Sequence, residues 1–176
     1  MDMKNDIQSI ELPALNPKIE LTVTVNGVLH QLKVAPAARI LDILREDLGL
    51  SGTKMSCEIG RCGACSVHMD GKLVNSCLVM AYQANRASIC TIEGLVEDTL
   101  QKAFLEEGGF QCGYCTPGMI MAVKVLLDSN PNPTKLQIQE ALSGNLCRCT
   151  GYGGIIRAVE QAITSLQEKQ VTNIEE

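Results

Sequence analysis

Hydrophobic and polar residues alternate strictly in two short segments near the start of the chain. Residues 19–25 have the sequence IELTVTV, residues 28–34 have the sequence VLHQLKV, and an Asn-Gly pair joins them. A period of two is typical of β-strands, and Asn-Gly is the pair that a two-residue hairpin turn favours. The pattern therefore predicts a β-hairpin. Residues 1–18 lack such a period and are expected to form a flexible arm.

The rest of the first half predicts one helix and three more strands. Apolar residues lie on one side of the segment that follows Pro36 and ends at Gly49, which is typical of a short amphipathic helix with a glycine cap. Strands are predicted at 66–69, 73–77 and 88–93. The resulting order, β-β-α-loop-β-β-β, predicts a small mixed domain.

The pattern becomes helical after residue 94. Helices are predicted at 98–107, 116–127, 134–142 and 155–167. Thr116 and Pro117 are placed to act as the N-cap and first residue of the second helix, and Thr134 with Gln137 has the spacing of a capping box. Four helices with short links predict a small bundle, so the fold class is α+β. The predicted organisation is a flexible arm (1–18), a mixed domain (19–94), a helical bundle (95–168) and a polar tail (169–176).

Charge and hydropathy exclude two classes of partner. The formal net charge of the 176 residues is −5, and no block of Lys or Arg occurs, so binding to nucleic acid or anionic lipid is not expected. The longest apolar runs last only a few residues and cannot span a bilayer. Residues 1–11 show neither an apolar stretch nor a twin Arg, so we expect no export signal and a cytoplasmic location.

Cysteine is the residue type that indicates metal binding in this chain. Nine occur in the chain, and a reducing compartment favours metal binding over disulfides. Four have the spacing Cys57-x4-Cys62-x2-Cys65-x11-Cys77. This spacing is associated with plant-type [2Fe–2S] centres, in which three thiolates from one loop and a fourth from elsewhere hold the cluster. A structural zinc usually takes two short-spaced cysteine pairs and suits this pattern less well.

Four more cysteines form a second set in the helical half, with the spacing Cys112-x2-Cys115-x31-Cys147-x-Cys149. Each pair precedes a predicted helix, whose positive N-terminus stabilises thiolates. The spacing favours a second iron–sulfur cluster but leaves a zinc site open. A thioredoxin-like dithiol at the first pair also stays open, although that chemistry expects a βαβ context rather than helices.

Three motifs in this order resemble those of a known family. They are CEIGRCGACSV (residues 57–67), QCGYCTPGM (111–119) and GNLCRCTGY (144–152). Together they resemble the small iron–sulfur subunit of the molybdenum hydroxylases, the group that contains xanthine dehydrogenase, aldehyde oxidoreductase and carbon monoxide dehydrogenase. The resemblance covers residues 19–165. It implies a β-grasp, plant-ferredoxin-like domain with one [2Fe–2S] cluster and a four-helix-bundle domain with a second.

The resemblance also implies two partner subunits. One holds a molybdopterin cofactor and lies beside the cluster of the bundle domain, and the other holds FAD and lies towards the first cluster. The cysteine set of the bundle would then accept electrons first, and the set of the ferredoxin-like domain second. Gln111 matches a family glutamine that contacts the pterin, and Cys149 lies at a matching position near the pterin. A plain loop-stabilising amide is the alternative for Gln111.

Several residues near these motifs receive other interpretations. Ser56 and Glu58 flank the first cysteine where the family commonly has glycine, which affects the backbone fit around that cluster. Arg61 would raise the reduction potential if it pointed inward, but a solvated side chain is the simpler expectation. The ninth cysteine, Cys90, has no partner at ligand spacing and is expected to be a buried structural thiol. His30 and His68 also lack such a partner and are expected to be surface histidines or satisfied core histidines rather than metal ligands.

The sequence thus predicts an electron-transfer subunit of a multi-subunit molybdenum hydroxylase. The chain shows no acid–base or nucleophilic site of its own. The substrate of the whole enzyme would be a small molecule, with a purine such as xanthine as the first choice and another N-heterocycle or an aldehyde as alternatives. Two other classes of protein stay open at this point, namely a free two-cluster ferredoxin and a zinc-stapled interaction module.

Overall fold

The first half forms a five-stranded mixed sheet in the computed structural model, which describes residues 17–96 and 99–172. Its strands are β1 (Ile19–Val25), β2 (Val28–Val34), β3 (Ser66–Met69), β4 (Lys72–Asn75) and β5 (Ser88–Cys90). Their spatial order is β2-β1-β5-β3-β4. β1 and β5 run parallel, and the other neighbours are antiparallel. The predicted arm, residues 1–18, lies outside the described residues except for 17 and 18.

The predicted hairpin is confirmed. Val25 pairs with Val28 across a two-residue turn in which Asn26 and Gly27 have φ angles of 51° and 81°. Positive φ at both turn residues matches the right-handed twist of the two strands, and Asn-Gly tolerates it best. The alternation also decides burial, because every second residue of β1 from Leu21 onward lies in the core of the sheet.

The helix that covers the sheet is shorter and less regular than predicted. Helix α1 (Ile40–Asp42) continues into a π-helical turn (Ile43–Asp47), where the amide of Leu48 donates to the carbonyl of Ile43 at 3.0 Å. The apolar side of both segments packs on the sheet. Gly49 follows with φ 71°, as its predicted capping role requires.

The predicted strand 88–93 ends early, at Cys90, and residues Ile92–Gly94 form a single 3-10 turn. A side chain in the β1–β2 hairpin turn explains why this strand ends early. The side chain of Asn26 accepts a hydrogen bond from the amide of Thr91 at 2.8 Å and donates to its hydroxyl at 2.9 Å. These bonds capture the chain where the strand would otherwise continue.

The second half consists of four helices, α2 (Thr99–Glu106), α3 (Thr116–Ser129), α4 (Lys135–Leu142) and α5 (Gly153–Thr172). Their apolar faces form a core separate from that of the sheet. α5 extends past the predicted end near Gln167 into the predicted polar tail, because strong helix formers can prolong a helix that packing has already nucleated. Within the described parts of the chain, no helix is long and apolar enough to cross a membrane.

One predicted cap is confirmed and another is wrong. Thr134 and Gln137 form the predicted capping box at the start of α4. In α3, however, the N-cap is Cys115, and Thr116 is already the first helical residue. Gly113, with φ 76°, turns the chain so that its carbonyl accepts from the amide of Thr116, which places Cys115 in helical geometry one residue earlier than predicted.

The two halves meet along α3, which packs across β3 and β4. The contact is close because Gly118 has no side chain: a Cβ atom there would lie 2.2 Å from the carbonyl oxygen of Gly63. Nε2 of His68, on β3, lies 2.8 Å from the carbonyl oxygen of Met121 on α3. His68 is therefore a structural residue of this interface, as the sequence predicts.

Candidate metal centres

The first cysteine quartet comes from two stretches of the chain, the loop before β3 and the turn after β4. Cys57, Cys62 and Cys65 lie on the loop before β3, and Cys77 follows β4. Cys57 contacts Cys62, and Cys65 contacts Cys77. The second pair is buried, with 3% and 2% of each residue exposed, whereas the first pair is partly exposed. The thiols are thus grouped two by two, with one pair nearer the surface.

The backbone of this loop turns its amide groups towards sulfur. Glu58, Gly60 and Gly63 have φ angles of 57°, 73° and 68°. The amide of Arg61 donates to Sγ of Cys57 at 3.3 Å. Backbone amides, that of Ile59 first, lower the pKa of Cys57 to about 7. Arg61 itself has an exposed side chain, as expected of a solvated residue.

The inner pair of this quartet has a different environment. Burial raises the pKa of the Cys65 thiol to about 11, with Cys77 adding to the rise. Ser76 links the two stretches of chain that carry Cys65 and Cys77, because its hydroxyl and its amide both donate to the carbonyl of Cys65, at 2.8 and 3.2 Å. Asn75 donates from its side chain to the carbonyl of Gly60 at 3.1 Å. Sequence reasoning missed both residues, since Ser and Asn near a turn carry no specific pattern.

The second quartet gathers two loops of the helical half. Cys112 and Cys115 lie between α2 and α3, and Cys147 and Cys149 lie between α4 and α5. Sγ of Cys149 lies 3.7 Å from Sγ of Cys112, and Cys115 contacts Cys147. Cys112 and Cys149 are exposed, whereas burial, assisted by Cys147, raises the pKa of Cys115 to about 12. Again the thiols are grouped two by two, with one pair at the surface.

Cys147 is held by two residues that follow it. The hydroxyl and amide of Thr150 donate to its Sγ at 3.1 and 3.5 Å. Although burial opposes the change, these bonds leave the pKa of Cys147 lowered. The hydroxyl of Tyr152 accepts from the amide of Cys147 at 2.9 Å and donates to the carbonyl of Asn145 at 2.8 Å. In the sequence, Tyr152 is the last residue of the GNLCRCTGY motif, and no pattern there predicts that its hydroxyl holds Cys147.

The arrangement of the thiols fits a two-iron cluster in each half. A [2Fe–2S] centre is held by four thiolates, two on each iron. Both quartets provide this as an outer and an inner pair.

The two cysteine loops touch each other. The amide of Leu146 donates to the carbonyl of Cys62 at 2.9 Å. Nδ2 of Asn145 donates to the carbonyl of Gly63 at 3.0 Å, and only 3% of Asn145 is exposed. The sequence motifs contained these residues but did not indicate that the loops of the two domains meet.

The predicted pterin-contact residues lie on one exposed surface. Gln111 is exposed next to Cys112, which in turn lies beside Cys149. Beside the Cys112–Cys115 loop, an open apolar groove of about 290 Å³ is lined by residues that include Phe104, Phe110, Gly113, Pro117 and Ile120.

The ninth cysteine, Cys90, lies outside both quartets. It is partly buried, and its thiol is directed at the carbonyl of Thr91.

Two families of iron–sulfur domains match consecutive parts of the chain. Residues 23–92 match a 2Fe-2S iron-sulfur cluster binding domain, and residues 91–160 match a [2Fe-2S] binding domain. The chain is 57% identical over 144 residues to a probable xanthine dehydrogenase subunit of Bacillus subtilis, a match that covers 80% of this chain and 83% of that protein. It is 49% identical over 150 residues to the nicotinate dehydrogenase small FeS subunit of Eubacterium barkeri, covering 83% and 96%.

Solved structures agree with these similarities. Quinoline 2-oxidoreductase from Pseudomonas putida 86 contains a chain that superposes with a TM-score of 0.82 at 39% identity, covering 86% of this chain and 98% of that one. Aldehyde oxidoreductase from Desulfovibrio gigas superposes with a TM-score of 0.81 at 42% identity, covering 86% of this chain but 17% of that larger one. Both comparisons extend across the sheet and the helices.

Proposed function

The chain belongs to the family of small iron–sulfur subunits of the molybdenum hydroxylases, and from this membership we propose how it carries electrons between partner subunits. One [2Fe–2S] cluster is held by Cys57, Cys62, Cys65 and Cys77. The other is held by Cys112, Cys115, Cys147 and Cys149. When bound, each cluster takes up and releases one electron at a time. The observation that carries this proposal is the pairing of thiols within each cysteine set, on loops that are hydrogen bonded to each other: Cys57 with Cys62, Cys65 with Cys77, Cys112 with Cys149, and Cys115 with Cys147.

The protein's own contribution is to place and tune the sulfur ligands. Amide and hydroxyl donors stabilise thiolate charge, and such donors reach Cys57 from Arg61 and Cys147 from Thr150. Burial of Cys65 and Cys77 excludes water from the inner side of the first quartet. The two quartets therefore have distinct surroundings, and we expect distinct reduction potentials.

A large molybdopterin-binding subunit covers the second quartet in our proposal. Cys112 and Cys149 are exposed, and ligands of a buried electron path would be shielded by a partner. Exposed apolar residues lie close to them in the chain, with Leu146 59% and Phe110 36% exposed, and Phe110 also lines the apolar groove described above. Gln111 would then contact the pterin, and electrons would enter this chain at the second quartet.

An FAD-binding subunit covers the first quartet. The Cys57–Cys62 loop and its neighbour Leu78, which packs against Gly60, carry exposed apolar side chains, with Ile59 63% and Leu78 53% exposed. Exposed apolar side chains grouped beside a cysteine loop suit a surface that a partner subunit covers. Electrons would leave the chain here. Because eight of the nine cysteines are cluster ligands in this proposal, a reducing compartment suits the chain, and we propose a cytoplasmic location.

The whole enzyme would oxidise a small N-heterocycle, with xanthine as the first substrate to test. Relatives are named for xanthine, nicotinate and caffeine, and others are aldehyde oxidoreductases, so an aldehyde is the alternative to a heterocycle. Residues 19–94 and 95–168 would act as two cluster-binding units, in line with our division of the sequence.

The test is the iron and acid-labile sulfide content of the anaerobically purified protein, followed by EPR of the reduced sample. We expect four irons and four sulfides per chain and two distinguishable EPR signals. Cys57→Ser and Cys112→Ser should each abolish or alter one signal, and Cys90→Ser is the matched control that should alter neither. Two irons per chain with a single signal, or stoichiometric zinc, would contradict the proposal.

The partner assignment has its own test. Gln111→Ala should weaken retention of the molybdenum-containing subunit or alter the signal of the second cluster, because it removes an exposed amide beside Cys112. Gln139→Ala removes another exposed amide, from α4, and should leave both unchanged. A native protein that purifies as a monomer, without molybdenum or flavin companions, would contradict the subunit role.

A further inference from the structure

Glu58, the residue after the first cysteine, has a backbone conformation that is unusual for its type. Its φ angle is 57°, which lies in the left-handed region. Glycine adopts this region freely and Asn or Asp adopts it occasionally, but a longer side chain clashes there with its own backbone. Something must therefore stabilise Glu58 in this conformation.

The conformation of Glu58 has a consequence for Cys57. A left-handed residue followed by a turn directs successive backbone amides into a shared concavity, which favours an anion. Here the amide of Arg61 points into that concavity and lies 3.3 Å from Sγ of Cys57. Keeping Glu58 left-handed thus keeps amide donors on a ligand sulfur.

Arg39 supplies the stabilising contact from another part of the fold. Its Nη1 donates to the carboxylate of Glu58, and the two side chains are 35% and 40% exposed. Arg39 is itself anchored, because it forms an isolated β-bridge with Met80, and the next amide, of Ile40, donates to the carbonyl of Val79 at 2.8 Å. The ion pair therefore ties the Cys57 loop to the segment that follows Cys77.

We propose that Arg39 is a positioning residue for the first quartet and that it sets the reduction potential of the cluster held there. It acts through Glu58 in two ways: it holds the loop that aims amides at Cys57, and it cancels a carboxylate charge beside that ligand. The inference deepens the proposed function and rests on it, since it presupposes a cluster on this quartet.

The direction of each effect follows from charge. Reduction adds a negative charge to the cluster, so a nearby positive charge raises the potential and a nearby negative charge lowers it. Arg39→Gln leaves the Glu58 carboxylate uncompensated and its loop untethered, and both changes lower the potential. Glu58→Gly keeps the left-handed backbone without strain but leaves the Arg39 charge without this partner, which raises the potential.

The experiment is an EPR-monitored redox titration of the purified, cluster-loaded protein with its accompanying subunits. At a fixed applied potential, we expect Arg39→Gln to lower the ratio of reduced to oxidised first cluster and Glu58→Gly to raise it. Each change should be at most about tenfold, which corresponds to about 59 mV for a one-electron couple. The double variant should return towards the wild-type ratio, and the signal of the second cluster is the internal control.

The matched control is the exposed pair of Lys33 and Glu20, which lies 3.9 Å apart on the β1–β2 hairpin. Lys33→Gln and Glu20→Gln make the same changes of charge and should leave the ratio at the wild-type value. If Arg39→Gln behaves like Lys33→Gln, or if both site variants shift the ratio in one direction, the inference is wrong.

Loss of iron from a variant and absence of the first cluster from the wild-type protein each have a meaning of their own. If Arg39→Gln fails to retain its iron, Glu58→Gly decides alone, because a raised ratio supports the inference and an unchanged ratio overturns it. If the wild-type protein shows no cluster on the first quartet, the proposed function itself fails before any variant is compared.

Discussion

The backbone amide of Leu146 donates a hydrogen bond of 2.9 Å to the carbonyl oxygen of Cys62. Cys62 belongs to the first cysteine quartet, and Leu146 directly precedes Cys147 of the second. A route from Sγ of Cys62 to Sγ of Cys147 thus crosses one hydrogen bond and the covalent bonds of only three residues, Cys62, Leu146 and Cys147. We expect this bond to lie on the shortest bonded route for electrons between the two clusters.

Leu146→Pro removes the amide donor, since proline has no backbone N–H. Leu146→Ala is the matched control, because it removes the same exposed side chain but keeps the amide. Rapid-freeze EPR after partial reduction should show slower electron passage between the two clusters in the proline variant. Equal rates in the two variants would show that the bond is not part of the route.

Asn145→Ala is expected to destabilise the contact between the two domains. The buried side chain of Asn145 donates to the carbonyl of Gly63, and its removal leaves that carbonyl without this partner. The expected loss in the free energy of unfolding is about 1 to 3 kcal/mol. Chemical denaturation of the cluster-loaded chain measures it. Asn145→Asp keeps the size but lacks the donor, so it should be no more stable than the alanine variant.

Gly118→Ala tests the close approach of α3 to the first cysteine loop by the sign of its effect. Inside a helix, alanine is normally more stable than glycine by about 1 kcal/mol. At Gly118 the added Cβ would lie 2.2 Å from the carbonyl oxygen of Gly63, so we expect destabilisation of about 1 to 3 kcal/mol instead.

Gly144→Ala is the control for this substitution, because a Cβ at that position meets nothing within 4 Å. Thermal unfolding of both variants should show a lower midpoint for Gly118→Ala only. A midpoint for Gly118→Ala at or above that of the wild type would mean that the two halves do not pack at this distance.

Tyr152→Phe is expected to speed the loss of iron from the second cluster but not from the first. The Tyr152 hydroxyl bridges the carbonyl of Asn145 and the amide of Cys147, and both would lose this partner, at an expected cost of about 1 to 3 kcal/mol. Iron release to a chelator, followed by EPR, should show earlier loss of the second cluster than of the first. Tyr82→Phe removes a hydroxyl from a tyrosine that is 60% exposed and should change neither rate.

Local patterns explain which parts of the fold could be predicted. The β1–β2 hairpin and the cap of α4 follow from residues within a few positions of each other, such as Asn26-Gly27 and Thr134 with Gln137. The early end of β5 could not be predicted, because it depends on bonds between Asn26 and Thr91, which are 65 positions apart. The start of α3 at Thr116 was misplaced by one residue because the turn at Gly113 was not recognised.

Spacing and periodicity are properties of nearby residues, so the amino-acid sequence alone predicts two sets of cysteine ligands and indicates the order of strands and helices and the family to which the motifs belong. Tertiary structure alone decided which thiols pair, which pair faces the surface, and that Asn145 and Leu146 bind the loop of Cys62 and Gly63. The physical reason is that these bonds use backbone carbonyls, which every residue has. Only the packing of α3 on the sheet selects the carbonyls that meet a donor.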